Sequence, residues 1–336
     1  MSITTVRPLG FFVSLAALLV VACALPHFAN RGVVFLAGVV ATNIVFGIAF
    51  NFAFAKAGVL SFGHAMFFAV GAYATAYLIL NHSWMPFLLI LLIALACGAL
   101  LALVTALLAL RRAGGVSFAV ITLALGALVH VLITKMTVLG RNDGLAGVAR
   151  PPLDFGVFSV PLAVGDNYYY FLVVTCALAV VLMWFLWSNR FGRSLQTVKS
   201  DPARAGFLGV DVNAKRLKAF VISGTMAALA GALFAPWAQI VSPELALWTQ
   251  STMPLLFALL GGSAFYLGPA VGAILFGFLD YGTRTMVGVS DLMVGGLLLA
   301  VVLAVPGGML GMLSALWTRM TVKRETTNAK LSEARP

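Results

Sequence analysis

The sequence predicts an all-α polytopic membrane bundle of about eight to ten helices with both termini cytoplasmic. Three observations carry that prediction. Of 336 residues, 62% are hydrophobic and only 9% are charged. The apolar residues gather into runs near the ~20 that a helix needs to cross ~30 Å of hydrocarbon. The basic residues sit between those runs and are unequally divided between the two sides.

The runs fall in order at about 9–25, 33–55, 61–80, 86–110, 116–134, 168–188, 219–241, 249–261, 267–281 and 291–306. Arg7 precedes the first run, and Val20-Val21-Ala22-Cys23 within it resembles a lipidation box. Seventeen apolar residues are long for a signal core and more spans follow, so retention as the first span is expected. The second and third runs are separated by Lys56 and Gly58-Val59-Leu60-Ser61-Phe62-Gly63, a break that no single straight helix bridges. The fourth to seventh runs read as ordinary spans. The eighth and ninth are short and flank Gly262-Ser263-Ala264-Phe265-Tyr266, which predicts a tight helical hairpin or a re-entrant element.

With ten crossings and the N-terminus inside, sixteen basic residues face the cytoplasm and five (Arg31, Lys135, Arg141, Arg150, Arg284) face out. Positive-inside orientation predicts that asymmetry. Residues 1–318 are then a transmembrane domain, with an extracytoplasmic loop at 135–167, a cytoplasmic loop at 189–218 and a disordered cytoplasmic tail at 319–336. The outer loop contains Gly140-Arg141-Asn142-Asp143-Gly144 and Arg150-Pro151-Pro152, which are turn formers, and it reads either as a plain connection or as a surface for an extracytoplasmic partner. The cytoplasmic island from Ser188 to Lys218 carries seven of the 21 Lys and Arg residues. Its expected role is to dock a cytosolic motor.

The formal charge of +11 does not imply nucleic acid, because the charges lie in loops between spans. Cys23, Cys97 and Cys176 lie inside apolar runs and read as small core residues. No Gly-Lys dipeptide occurs, so the chain has no Walker A loop. His27, His64, His82 and His130 form no metal-ligand spacing, and neither a metal nor a cofactor is expected. No nucleophile and base pair suggests an enzyme. The supported spans also lack a deep carboxylate, which disfavours cation-coupled transport.

Polar and small residues do form stripes. Asn43, Gly47 and Asn51 share one helix face, as do His64, Gly71 and Thr75, and Thr122, Gly126 and His130. Such stripes serve close helix packing or line a pathway, and Asn51 and His64 are the strongest pathway candidates because they flank the break. Gly224, Ala228 and Gly231, and Gly268 with Gly272, read as close-packing surfaces.

Three blocks together resemble the LivM-type permease family of branched-chain amino acid ABC importers. The run Ala57 to Phe68 followed by Gly71-Ala72-Tyr73 is similar to its G-x-L-S-x-G-H-x-x-F-F…G-A-Y signature. Gly115 to Ala124 is similar to its G-x-Y-F-A-x-x-T-L-A block, with Ser117 in place of the tyrosine. Asn189 to Leu195, Leu208-Gly209-Val210, and Gly261-Gly262 to Gly268-Pro269 are similar to its cytoplasmic loop and closing hairpin. Where the family's cytoplasmic loop has a glutamate this chain has Ala203. The resemblance implies an inner-membrane subunit without catalytic residues, working by alternating access. Its implied partners are the bilayer, a homologous second permease subunit, two cytosolic ABC ATPase subunits and an extracytoplasmic solute-binding protein.

On that resemblance Asn51, Ser61, His64 and Thr122 would line the substrate pathway. A short helix from Asp201 to Leu208, capped by Asp201 and ended near Gly209, would be the lever moved by the ATPases. Arg193 and Arg204 would contact them. The implied solute is a branched-chain or other hydrophobic amino acid; urea or short amides, or an ion-coupled secondary transporter, are the alternatives.

Overall fold

The computed structural model describes residues 8–110, 115–154, 159–283, 295–296, 299 and 307–313. Arg7, Arg111, Arg112, Arg284, Asp291, the tail 319–336 and most of the run at 291–306 lie outside them. Six described helices are long and apolar enough to cross a membrane by length and composition.

Helix α1 (Pro8–Phe28) is followed by α2 (Arg31–Asn51), whose N-cap Asn30 accepts from the Val33 amide. A π-helical turn (Phe52–Lys56) continues α2, then the regular backbone stops. Next come α3 (Ala65–Asn81), α4 (Phe87–Ala109) and α5 (Val116–Lys135). Helix α6 (Asn167–Ser188) leads into the short pair α7 (Arg190–Ser200) and α8 (Pro202–Phe207), and α9 (Val212–Ala238) returns through the bundle. The chain then enters α10 (Trp248–Gly261) and α11 (Gly268–Thr283).

Two compact units divide the chain at Leu255. In the first, α9 is central and packs on α2, α3 and α4. Lipid tails are as apolar as leucine, so hydrophobicity alone does not bring such helices together. Close fit does. A Cβ at Gly71 would collide with the Ala228 carbonyl oxygen, and one at Gly231 would collide with that of Phe68. Gly98 and Gly224 accept Ala228 and Ala102 in the same way, so the close packing expected around Gly224, Ala228 and Gly231 is observed. Helix α1 lies at the periphery, held by Phe11 stacked on Trp184 at 4.8 Å and by the Tyr169 hydroxyl donating to the Ala22 carbonyl.

In the second unit, the end of α10 and α11 form the tight hairpin. A Cβ at Gly272 would meet the Phe257 carbonyl, and Phe257 packs edge-on against Phe276. Gly262 turns the chain at φ +104°, which only glycine adopts freely.

Two boundaries differ from the sequence reading. Helix α3 starts at Ala65 rather than 61, because Gly63 and its neighbours are apolar without being helical. Helix α9 starts at Val212 rather than 219, capped by the Asp211 carboxylate on the Ala214 amide, so Lys215, Arg216 and Lys218 are already helical. The loop at 135–167 also contains short paired strands. Strand β1 (Leu145–Ala146) pairs antiparallel with β4 (Ile240–Val241), and β2 (Leu153–Asp154) with β3 (Ser159–Val160). Arg150 pins this loop to α9, donating to the Pro236 carbonyl at 3.3 Å and lying over the Trp237 ring at 5.1 Å.

Candidate functional site

The break after α2 is a re-entrant stretch of backbone. Ser223, which touches His64, lies eleven residues into α9, roughly 16 Å from its N-terminal start at 1.5 Å per residue. Lys56 ends its helix about 10 Å below Ala49, the residue that shares this contact. The chain therefore runs on to Lys56 and returns to the level of Ala49, midway along α9, before α3 begins. Non-helical backbone at that depth must find its partners in the protein.

It does. The Val59 amide donates to the Ala53 carbonyl across the π-helical turn. The Phe62 amide donates to Thr122 Oγ1 at 3.2 Å, and that hydroxyl donates to the Ala119 carbonyl at 2.9 Å. A Cβ at Gly63 would collide with the Thr122 carbonyl oxygen, and Gly126 sits over the Gly63 Cα, so loop and α5 meet backbone to backbone. The Ala65 amide donates to Ser251 Oγ at 2.9 Å.

His64 is fully buried among Phe46, Phe50, Phe67 and Phe220, with ring centroids 5.3–6.1 Å away. Its Nε2 lies 3.0 Å from Ser223 Oγ, whose single proton goes to the Ala49 carbonyl. Nε2 must then be the protonated nitrogen, donating to Ser223. Nδ1 is left as a buried acceptor with no partner, and Ser61 Oγ is also buried and unpartnered.

The four sequence-predicted pathway residues thus gather around one structural fault. Asn51, Ser61, His64 and Thr122 are each at most 1% exposed. Thr122 holds the loop that carries Ser61 and His64, and Asn51 ends the helix above the π-helical turn. Ser223 and Ser251 were not singled out in the sequence. Lone serines in apolar helices are too frequent to stand out without knowing what faces them.

The α7–α8 pair is built by caps. Asn189 accepts from the Gly192 amide to start α7, which buries Gly192, Leu195 and Val198. Asp201 accepts from the Arg204 amide at 2.9 Å to start α8, with Pro202 in its first turn. The Gly209 amide closes the far end on the Gly206 carbonyl, at φ +77°. Helix α8 is therefore the short helix the sequence predicts. Arg204 pairs with Asp201 at 3.3 Å, yet its side chain is 79% exposed, so the pair contributes little stability. Arg193 is exposed on α7. Beyond these, Phe207 and Leu208 are 92% and 72% exposed at the tip. Two large apolar side chains inside a polar island were the available signal, and charge counting passed over them.

No group of His, Cys, Asp and Glu among the described residues could hold a metal. The site offers instead a buried polar fault in a helix bundle and, below it, a capped helix with an apolar tip.

The family described as branched-chain amino acid transport system permease component matches residues 32–306. The chain is similar to the high-affinity branched-chain amino acid transport permease LivM of Salmonella typhimurium, with 31% identity covering 95% of this chain and 78% of that one. It is also similar to LivH of Escherichia coli (26% identity, 41% of this chain, 46% of the other). The autoinducer 2 import permease LsrD of an Enterobacter strain is 27% identical over 70% of this chain and 73% of its own length. No solved structure matches significantly.

Proposed function

The chain belongs to the branched-chain amino acid transport permease family, and from that premise we propose that it is one membrane-spanning subunit of an ABC importer for branched-chain amino acids. It is a multi-pass protein of the bacterial inner membrane. Nucleotide hydrolysis falls to two separate ATPase subunits on the cytoplasmic face. A homologous permease completes the pathway, and a solute-binding protein delivers substrate to the outer loop at 135–167. Both termini are cytoplasmic in this reading.

The observation that carries the reading is likeness along 95% of the chain to a LivM permease. The capped helix α8, with Arg204 beside an exposed Phe207, supports it as the surface the ATPases push. Arg193, Asp201, Arg204 and Gly209 shape or flank that surface. Asn51, Ser61, His64 and Thr122 mark the seam that opens toward substrate, where the free Nδ1 of His64 and the Ser61 hydroxyl can meet an ammonium or carboxylate. The amino acid permeases among the relatives favour such a solute over urea, and the resemblance to ABC importer permeases favours ATP over a cation gradient.

Affinity purification of the chain is expected to bring down two ATPases and a second permease. In proteoliposomes that complex takes up leucine, with isoleucine and valine competing and urea not. Uptake of urea in preference to leucine would refute the substrate class. His64→Leu should lower leucine uptake on the order of tenfold, the loss of one or two buried hydrogen bonds, while the ATPases stay bound. Ordinary uptake by that variant would return His64 to a packing role.

A further inference from the structure

The junction between the π-helical turn and α7 carries contacts that neither the packing nor the docking surface requires. Lys56 closes the turn and is 6% exposed. Its Nζ donates to Gln196 Oε1 at 3.2 Å and stands 4.5 Å from the Trp187 ring centroid. From α7, Lys199 reaches the opposite way, its Nζ donating to the Ala55 carbonyl at 3.0 Å and lying 5.8 Å over the Phe54 ring. Gly58, at φ +70°, passes against the Lys199 stem, where a Cβ would stand 3.1 Å from Cγ.

Neither amine has a carboxylate in ion-pair range among the described residues. For the buried Lys56, taking an ammonium out of water without a counter-charge is unfavourable, and an apolar side chain of similar length would pack there at less cost; Lys199 is exposed but commits its amine to a backbone carbonyl. A π-helical turn also leaves carbonyls poorly matched to the next turn, and Lys199 takes one of them. Two cations crossing in opposite directions between a cytoplasmic helix and a helix fault therefore call for a role. Beyond Gly58, the segment up to Ala65 is held partly by hydroxyls of Thr122 and Ser251, which can exchange partners.

We propose that Lys56, Gln196 and Lys199 are positioning residues, forming a two-way latch through which displacement of the α7–α8 hairpin moves the backbone that carries Ser61 and His64. The inference rests on the permease reading and adds to it the linkage between motor and seam. Cutting the latch leaves hydrolysis running while the seam no longer follows.

Two measurements test it. In the full-length chain in detergent, Lys199→Met keeps the stem and removes the donor, and exchange of the residue 58–63 amides should accelerate on the order of tenfold. In the complete complex in proteoliposomes, leucine uptake should fall on the order of tenfold with hydrolysis nearly unchanged, so ATP consumed per solute rises by the same factor. The leucine concentration for half-maximal uptake stays the same. Gln196→Glu retains the acceptor for Lys56 and should transport normally. Gln196→Leu cuts the other arm and reads the same quantities if Lys199→Met fails to assemble. Unchanged exchange, unchanged ATP per solute, or parallel loss of uptake and hydrolysis each overturn the latch. Absence of ATP-driven uptake by the unmodified complex is a separate result: it removes the permease reading, and the latch's role with it.

Discussion

Charge reversal at Arg204 combined with Gly209→Pro should abolish leucine uptake, by on the order of 100-fold, while the chain still inserts and purifies as a monodisperse species. Gly209 adopts φ +77° and its amide donates to the Gly206 carbonyl. Proline fixes φ near −65° and has no N–H, so the last turn of α8 is lost and Phe207 and Leu208 are redirected. Arg204 is 79% exposed and its pair with Asp201 adds little to stability, so reversing it alters the docking surface rather than the fold. Uptake and ATP hydrolysis in proteoliposomes, with size-exclusion chromatography as the control for integrity, check this outcome. Unchanged uptake would mean that α8 is not the lever.

The second large effect falls on stability. Gly71→Ala should destabilise the bundle by about 2–3 kcal/mol, the range for forcing extra atoms into a packed core. The added methyl meets the Ala228 carbonyl oxygen, a backbone atom fixed in the middle of α9. That helix cannot retreat, because Gly98 and Gly224 place it equally close to α4 and Phe67. A fall in the thermal midpoint of roughly 5–10 °C in detergent is expected. Gly32→Ala, where a Cβ would meet nothing within 4 Å, should leave the midpoint unchanged. Equal midpoints for all three proteins would show that α3 and α9 are not in backbone contact.

How much of this was legible in the sequence depends on what the residues face. Runs of apolar residues located α4, α5, α6 and α10 to within a residue or two, because lipid demands length and the demand is visible in one dimension. The start of α9 was misplaced for a related reason. Lys215, Arg216 and Lys218 are polar, but Asp211 caps them into the same helix, and hydropathy does not report caps. Paired strands of two residues, such as β1 with β4, leave no period to detect. The helix at Asp201 was legible because a cap, a proline and a glycine are local signals.

The pathway candidates illustrate the limit more sharply. A polar stripe identified His64 and Thr122, and both are buried at the break. The stripe could not say that Ser223 fixes the tautomer of His64, or that Thr122 serves the Phe62 amide. Those facts need a partner more than fifty residues away. Lys56 and Lys199 read as ordinary positive-inside charges until the structure joins them to Gln196 and the Ala55 carbonyl.

Motion at α8 is supplied from outside the chain and carried to the break at residues 57–64 in the proposed mechanism. Vesicles holding this chain alone, and vesicles holding it with its second permease, ATPases and binding protein, should be compared for leucine uptake under an ATP supply and under an imposed proton or sodium gradient. Leucine should accumulate only in the complete complex and only with ATP. Uphill uptake by the chain alone on a cation gradient, without nucleotide, would contradict it.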